Sequence, residues 1–107
     1  MIELRRYQLE DGSMPFTDWL RGLRDMRARA QIEVRLRRVS TGNFGDCKSV
    51  GEGVSELRIA VGSGYRVYYG KPGQTLVILL CGGDKSSQQA NITDAKAYWA
   101  DWKRRNS

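Results

Sequence analysis

The 107-residue sequence contains no histidine and only two cysteines, Cys47 and Cys81. Zinc and iron sites are built mostly from the side chains of these two residue types, so the composition predicts no metal site. We expect no bound cofactor of another kind. The two thiols lie in unlike sequence settings, which favours reduced cysteines over a disulfide.

No uninterrupted apolar stretch approaches the roughly 20 residues that a membrane-spanning helix needs. The amino terminus, MIELRRYQLE, does not have the layout of a signal peptide. These features predict a cytoplasmic protein that does not use a membrane. Because 40% of the residues are hydrophobic and 28% are charged, we expect one folded domain over residues 1–107.

Acidic residues are in the minority, since 12 of them oppose 18 lysines and arginines and leave a formal net charge of +6. Thirteen of the cations are arginine, whose planar guanidinium matches the geometry of a phosphate. The balance favours a polyanionic partner, or an acidic protein that covers the same surface.

Residue patterning predicts a small α+β domain in the order strand, helix, helix, strand, strand, strand, helix, with the helices packed on an antiparallel twisted sheet. The first strand is expected over residues 2–9, before a turn and a helix that begins near Pro15. An apolar stripe at helical spacing marks the inner face of this helix: Phe16, Trp19, Leu20 and Leu23.

A break near residues 24–25 precedes a second predicted helix, which ends at about Ser40. Residues 41–53 are rich in glycine and are read as a loop. Three strand-like runs joined by short turns predict an antiparallel meander, over residues 54–61, 64–71 and 75–82. The last run shows no alternation, so we expect it to be central and covered on both faces. Asn91 is expected to cap the final helix.

Four arginines fall on one stripe of the second helix and its approach: Arg24, Arg27, Arg35 and Arg38. A row of arginines on a surface helix is commonly a solvated face. The alternative is a surface that binds phosphates or a protein partner.

Strand alternation turns Arg58, Arg66 and Tyr68 away from the predicted core, and Lys85 follows the last strand. These four side chains are therefore expected to gather in a concave basic patch on an open sheet face. Such a patch suits single-stranded RNA, because cations neutralise the backbone and a tyrosine ring stacks on a base. Fixed cations would also stabilise charge that grows on an attacked phosphate, without a metal. The alternative is that Arg58 only pairs with Glu56 and that the Arg66 side chain only extends past Tyr68 to reach solvent.

Five segments in this order resemble the RelE/ParE superfamily of type II toxin–antitoxin toxins, and more narrowly its HigB-like branch of addiction-module killer proteins. They are PFTDWLRGL (15–23), GVSELRI (53–59), GSGYRVYYG (62–70), LLCGGDKSSQ (79–88) and DAKAYWADW (94–102). The resemblance runs along nearly the whole chain and implies a RelE-like fold.

The resemblance implies a toxin held inactive by a cognate antitoxin of the helix-turn-helix type, with operator DNA reached only through that complex. RelE-type members cut messenger RNA in the ribosomal A site by attack of the 2′-hydroxyl on the neighbouring phosphate. The arginine-rich helix would then face ribosomal RNA.

By position, Arg66 of GYR matches the family's phosphate-stabilising arginine, and Lys85 of GGDK matches a basic residue after the last strand. Arg58 of ELRI matches a basic strand position if one residue is inserted in the following turn. The tyrosine of some RelE members aligns near Asn91, which leaves Tyr68 or Tyr65 as a substitute, and Tyr65 is also expected to bind RNA or the ribosome. The histidines of some HigB enzymes are absent, so no obvious general base remains.

Three functions stay open on these grounds. The first is a ribosome-dependent mRNA endoribonuclease that inhibits translation. The second is a ParE-like poison of DNA gyrase, which binds rather than cleaves. The third is a toxin relic that only binds its antitoxin and helps to repress its own operon.

Overall fold

The computed structural model describes all 107 residues, and its elements follow the predicted order with one additional strand. The strands are β1 (Glu3–Arg6), β2 (Cys47–Gly51), β3 (Val54–Ile59), β4 (Tyr65–Gly70) and β5 (Leu76–Asp84). The helices are α1 (Pro15–Gly22), α2 (Met26–Ser40) and α3 (Gln88–Arg105). A single 3₁₀ turn, Lys85–Ser87, joins β5 to α3. The small α+β architecture is thereby confirmed.

The five strands form one sheet in the order β1-β5-β4-β3-β2. The antiparallel meander of β3, β4 and β5 and the central place of β5 are both confirmed. The prediction of a wholly antiparallel sheet is wrong, because β1 pairs in parallel with β5, from Glu3 opposite Leu76 to Arg6 opposite Leu79. The first strand is also shorter than the predicted residues 2–9.

Strand β2 lies within residues 41–53, which the patterning assigned to a loop, so that assignment is wrong for its second half. Glu52 and Gly53 both have positive φ, 54° and 83°, and this pair closes a tight hairpin between β2 and β3. The run CKSVG carries no alternation of its own. It becomes a strand because the turn brings it against β3, with Cys47 opposite Leu57.

Local features of the chain separate α1 from α2 and set the two ends of α2. The predicted break at residues 24–25 is confirmed, and the Asp25 side chain caps α2 by accepting a hydrogen bond from the backbone N–H of Ala28 at 3.0 Å. Helix α2 ends at Ser40, and Gly42 follows with a φ of 94°. The two helices cover one face of the sheet with a core that includes Phe16 and Ile32.

Helix α3 covers the opposite face of the sheet, so the sheet is the middle of three layers. Trp99 of α3 packs in a second core that contains Tyr68 and Ile78. The expectation of an open sheet face is therefore wrong over most of its area. Helix α3 begins at Gln88, and Asn91 lies inside its first turns rather than at its cap.

No helix has the length and apolar character needed to cross a membrane.

Candidate functional site

An open cleft of about 410 Å³ lies at the end of the β3–β4 hairpin, beyond the edge of the region that α3 covers. Three of the four residues predicted as catalytic line it: Arg58, Arg66 and Lys85. Tyr65, predicted to bind RNA, lines it as well. Its other lining residues are Asp46 and the hairpin segment 59–64.

Sheet register explains why two arginines meet in this cleft. Arg58 of β3 lies directly opposite Arg66 of β4, so the two side chains leave the same face of the sheet side by side. On the other side of β4, Arg66 is opposite Gly83 of β5. Asn91 of α3 comes so close to Gly83 that a Cβ there would lie 2.8 Å from its Cγ, and only glycine fits.

Lys85 reaches the cleft because the 3₁₀ turn redirects the chain at the end of β5. Asp84 caps this turn, and its carboxylate accepts hydrogen bonds from the N–H and Oγ of Ser86 at 2.9 and 2.6 Å. The side-chain bond to Ser86 holds the pKa of Asp84 below its usual range. The aliphatic part of Lys85 runs past Gly64, where a Cβ would lie 3.6 Å from its Cδ.

Glu56 is the charged residue that the sequence reasoning left out of the site, although it lies two residues before Arg58 on the same strand face. Its side chain is 1% exposed, and its carboxylate lies 3.1 Å from Arg58 Nε and 3.7 Å from Arg66 Nε. Gln88 Nε2 adds a third contact at 3.4 Å. The alternative that Arg58 pairs with Glu56 is confirmed as a contact, and it coexists with the place of Arg58 in the cleft.

The Arg66 guanidinium has one charged partner in the protein, the Glu56 carboxylate at 3.7 Å, and this contact is too long for a hydrogen bond. The Arg66 side chain is 13% exposed, none of its N–H groups has a protein acceptor in hydrogen-bond range, and its Nε is fully buried. Buried polar groups in proteins are almost always hydrogen-bonded, because an unpaired donor loses its interaction with water. The terminal N–H donors of Arg66 are therefore available to an anion that enters the cleft, whereas its buried Nε is not.

Tyr68 does not belong to the cleft, and the prediction that it lies on an open face is wrong. Its ring is fully buried beneath α3, so no base can stack on it. Burial, reinforced by the nearby Glu56 charge, raises the pKa of Tyr68 far above neutrality, which makes it unsuited to act as a general base. The aromatic ring that the cleft does present is that of Tyr65, 6.4 Å from the Trp19 ring between centroids.

The arginines of the α2 stripe fall into two groups. Arg35 donates hydrogen bonds to the backbone carbonyls of Arg58, Phe44 and Asp46, the last two at 3.0 and 3.1 Å. These bonds tie the segment before β2 to the end of β3, so the expectation of a guanidinium free to bind RNA conflicts with the structure for Arg35.

Arg27 lies with Gln31 and Arg35 along a second groove of about 300 Å³, which shares residues 59–61 with the cleft. Arg24 and Arg38 are exposed, and their side chains have no hydrogen-bond or ion-pair partner. For Arg24, Arg27 and Arg38, binding to RNA or the ribosome stays a prediction.

No protein-family model matches the chain. A Haemophilus influenzae protein described as uncharacterized is 52% identical to it over 84 residues. The aligned region covers 78% of this chain and 85% of the Haemophilus influenzae protein.

Proposed function

We propose that this chain, which belongs to the same family as the Haemophilus influenzae protein, is the toxin of a type II toxin–antitoxin system. Its proposed activity is metal-free, ribosome-dependent cleavage of messenger RNA in the cytoplasm, held in check by a cognate antitoxin. The resemblance to the RelE/ParE superfamily and its HigB-like branch supports this assignment. The α+β architecture is compatible with a RelE-like fold.

The observation that carries the proposal is the Arg66 guanidinium, largely buried in the cleft with no hydrogen bond to the protein and with only the 3.7 Å ion pair to Glu56. Arg58 lies beside it and Lys85 lies on the same cleft. A phosphodiester offers the oxygen acceptors that a guanidinium binds best. The openness of the cleft to solvent suits an extended single strand that passes over the hairpin end.

The chemistry that such a site supports is attack of a ribose 2′-oxygen on the adjacent phosphorus. A bond forms between that oxygen and phosphorus, the bond to the 5′-oxygen breaks, and a 2′,3′-cyclic phosphate results. Negative charge grows on the two non-bridging oxygens, where the N–H donors of Arg58 and Arg66 stabilise it more than in the ground state. Solvent takes the 2′ proton and supplies one to the 5′-oxygen. The Lys85 ammonium, which also lines the cleft, partly neutralises the negative charge of the bound RNA.

Substitution of Arg66 tests the proposal. Induced expression of the wild-type chain is expected to arrest growth, and primer extension is expected to map cuts in messages. Arg66→Ala should lower the cleavage rate by about 10²–10³-fold, the usual loss when one preorganised oxyanion donor is removed. Arg21→Ala, which removes an exposed arginine that makes no side-chain hydrogen bond or ion pair and does not line the cleft, is the matched control. Cleavage at the wild-type rate by Arg66→Ala would disprove the assigned site.

A second candidate function, a toxin relic that only binds its antitoxin, is favoured by one observation. Tyr68, one of the two tyrosines that could replace the family's tyrosine, is buried and cannot serve as a base. Under this alternative the purified complex with the antitoxin binds operator DNA, whereas the free chain neither arrests growth nor cuts RNA.

A further inference from the structure

Glu56 is the one carboxylate of this protein that is almost fully buried, and it lies between the two strand arginines of the cleft. A side chain that is 1% exposed cannot reach a substrate hydroxyl, so Glu56 does not touch the reacting atoms. Breaking a buried ion pair is costly when one charge is left behind. Its burial therefore requires cationic neighbours that stay in place.

The contacts of Glu56 are made with the Nε edges of both guanidinium groups. Arg58 donates its Nε–H to Oε1 at 3.1 Å, and Arg66 presents its Nε to Oε2 at 3.7 Å. No protein acceptor engages the terminal nitrogens of either group. An arginine held by its Nε edge keeps its two terminal nitrogens for a second anion. Glu56 thus orients the fork of Arg58 by a hydrogen bond and that of Arg66 by ionic attraction alone.

Electrostatics give Glu56 a second task. Arg58 and Arg66 are directly opposite each other in the β3–β4 register, and like charges in that relation repel. A carboxylate between them offsets this repulsion in the free protein. Gln88, the first residue of α3, donates to the same carboxylate and links it to the turn that carries Lys85.

We propose that Glu56 is a positioning residue, which holds Arg58 and Arg66 in the orientation that the phosphate of a single-stranded RNA requires. This inference rests on the proposed function. Its negative charge opposes phosphate binding in the ground state, while the orientation it imposes raises the rate of the chemical step. Removal of the charge should therefore separate the two effects.

The test is Glu56→Gln on ribosomes programmed with a message, with saturating rate and half-saturating concentration measured separately. The saturating cleavage rate should fall about 10–100-fold, the scale of a misplaced reacting geometry. The half-saturating concentration should stay constant or decrease. Glu52→Gln is the matched control, because it removes the same charge from an exposed hairpin residue that contacts Lys96 and not the cleft. It should change neither quantity.

A spectroscopic readout keeps this inference separate from the proposed function. The Nε–H signals of Arg58 and Arg66 in ¹H–¹⁵N NMR spectra should shift and broaden in Glu56→Gln and remain in place in Glu52→Gln. A single-stranded RNA with 2′-O-methyl groups should bind Glu56→Gln at least as tightly as wild type. If the wild-type chain does not cleave RNA, the proposed function fails, and these two measurements still decide the role of Glu56.

A folding control completes the design, because Glu56 is buried. Glu56→Asp keeps the charge one methylene farther away, so its cleavage rate should lie between those of wild type and Glu56→Gln. Should Glu56→Gln not fold, a shift of the arginine signals in Glu56→Asp supports the proposal. Unchanged arginine signals, a wild-type rate in the folded variant, or equal losses of rate and affinity would each overturn it.

Discussion

Gly70, at the end of β4, is a position where one added methyl group should be costly for a clear structural reason. A Cβ at this residue would lie 2.5 Å from both Cδ2 and Cζ3 of Trp99, on the α3 layer. The φ angle of Gly70 is one that alanine also adopts, so no backbone strain enters. Trp99 is buried and stacked on Trp102 at 5.3 Å between ring centroids, which leaves the ring little room to move.

Gly70→Ala should therefore lower the free energy of unfolding by about 1–3 kcal/mol, the range for overpacking a close-packed core. Domains of this size have a total stability of roughly 5–15 kcal/mol, and each kcal/mol corresponds to about 4 °C in melting temperature. We therefore expect the melting temperature of Gly70→Ala to be about 4–12 °C below that of wild type. Urea denaturation followed by tryptophan fluorescence, together with a thermal scan by circular dichroism, measures both quantities.

Gly73→Ala is the matched control, since no heavy atom lies within 4 Å of its Cβ position. Its stability should remain within about 0.5 kcal/mol of wild type. The double variant Gly70→Ala with Trp99→Leu should be less destabilised than the sum of the two single changes, because the smaller side chain relieves the overlap. Equal urea midpoints for Gly70→Ala and Gly73→Ala would refute the packing argument.

Three further predictions concern other parts of the fold. Arg35→Ala should destabilise the protein by about 2–3 kcal/mol in urea titrations, because three backbone carbonyls lose a charged donor; an unchanged midpoint would contradict its structural role. Burial raises the pKa of Tyr68, and that of Tyr69 to about 12, so stability should be complete below the unfolded value of about 10 and decrease as the pH rises toward 12. A urea midpoint that is constant from pH 9 to pH 11.5 would count against this sign. The exposed Cys47 should react quickly with a thiol reagent, whereas Cys81, whose pKa burial raises to about 12, should react only on unfolding; equal rates would exclude the difference in environment.

The helices and the meander could be predicted because their signals are local. Apolar spacing located α1, and the predicted break at residues 24–25, where Asp25 caps α2 in the structure, separated the two helices. The unbroken apolar run of β5 correctly indicated a strand covered on both faces. Each of these features depends mainly on residues that are close together in the sequence.

The features that were missed depend on contacts between residues that are far apart in the sequence. Alternation in YRVYYG tells which side chains share a face, but it does not tell what covers that face, and α3 buries Tyr68. The parallel pairing of β1 needs a partner more than 70 residues away, from Glu3 to Leu76. Strand β2 needs the positive φ of Glu52, which ordinary turn preferences do not favour.

Part of the candidate site could also be predicted from the sequence, because it depends on a local hairpin. The short hairpin fixes the register that sets Arg58 opposite Arg66, so their meeting could be anticipated. The engagement of Arg35 with the carbonyls of residues 44 and 46 could not, because it depends on how an irregular segment folds back on α2. Glu56 had a usable signal in its spacing of two residues from Arg58 along one strand.

The parallel pairing of β1 with β5 has a consequence for the order in which the molecule assembles. Residues 47–84 can form their four consecutive strands through nearest-neighbour turns, while the amino-terminal strand has no place to dock until the ribosome has released β5. A nascent chain therefore carries its first strand unpaired through most of its synthesis. The five-stranded sheet can therefore be completed only near the end of translation, when β1 pairs with β5.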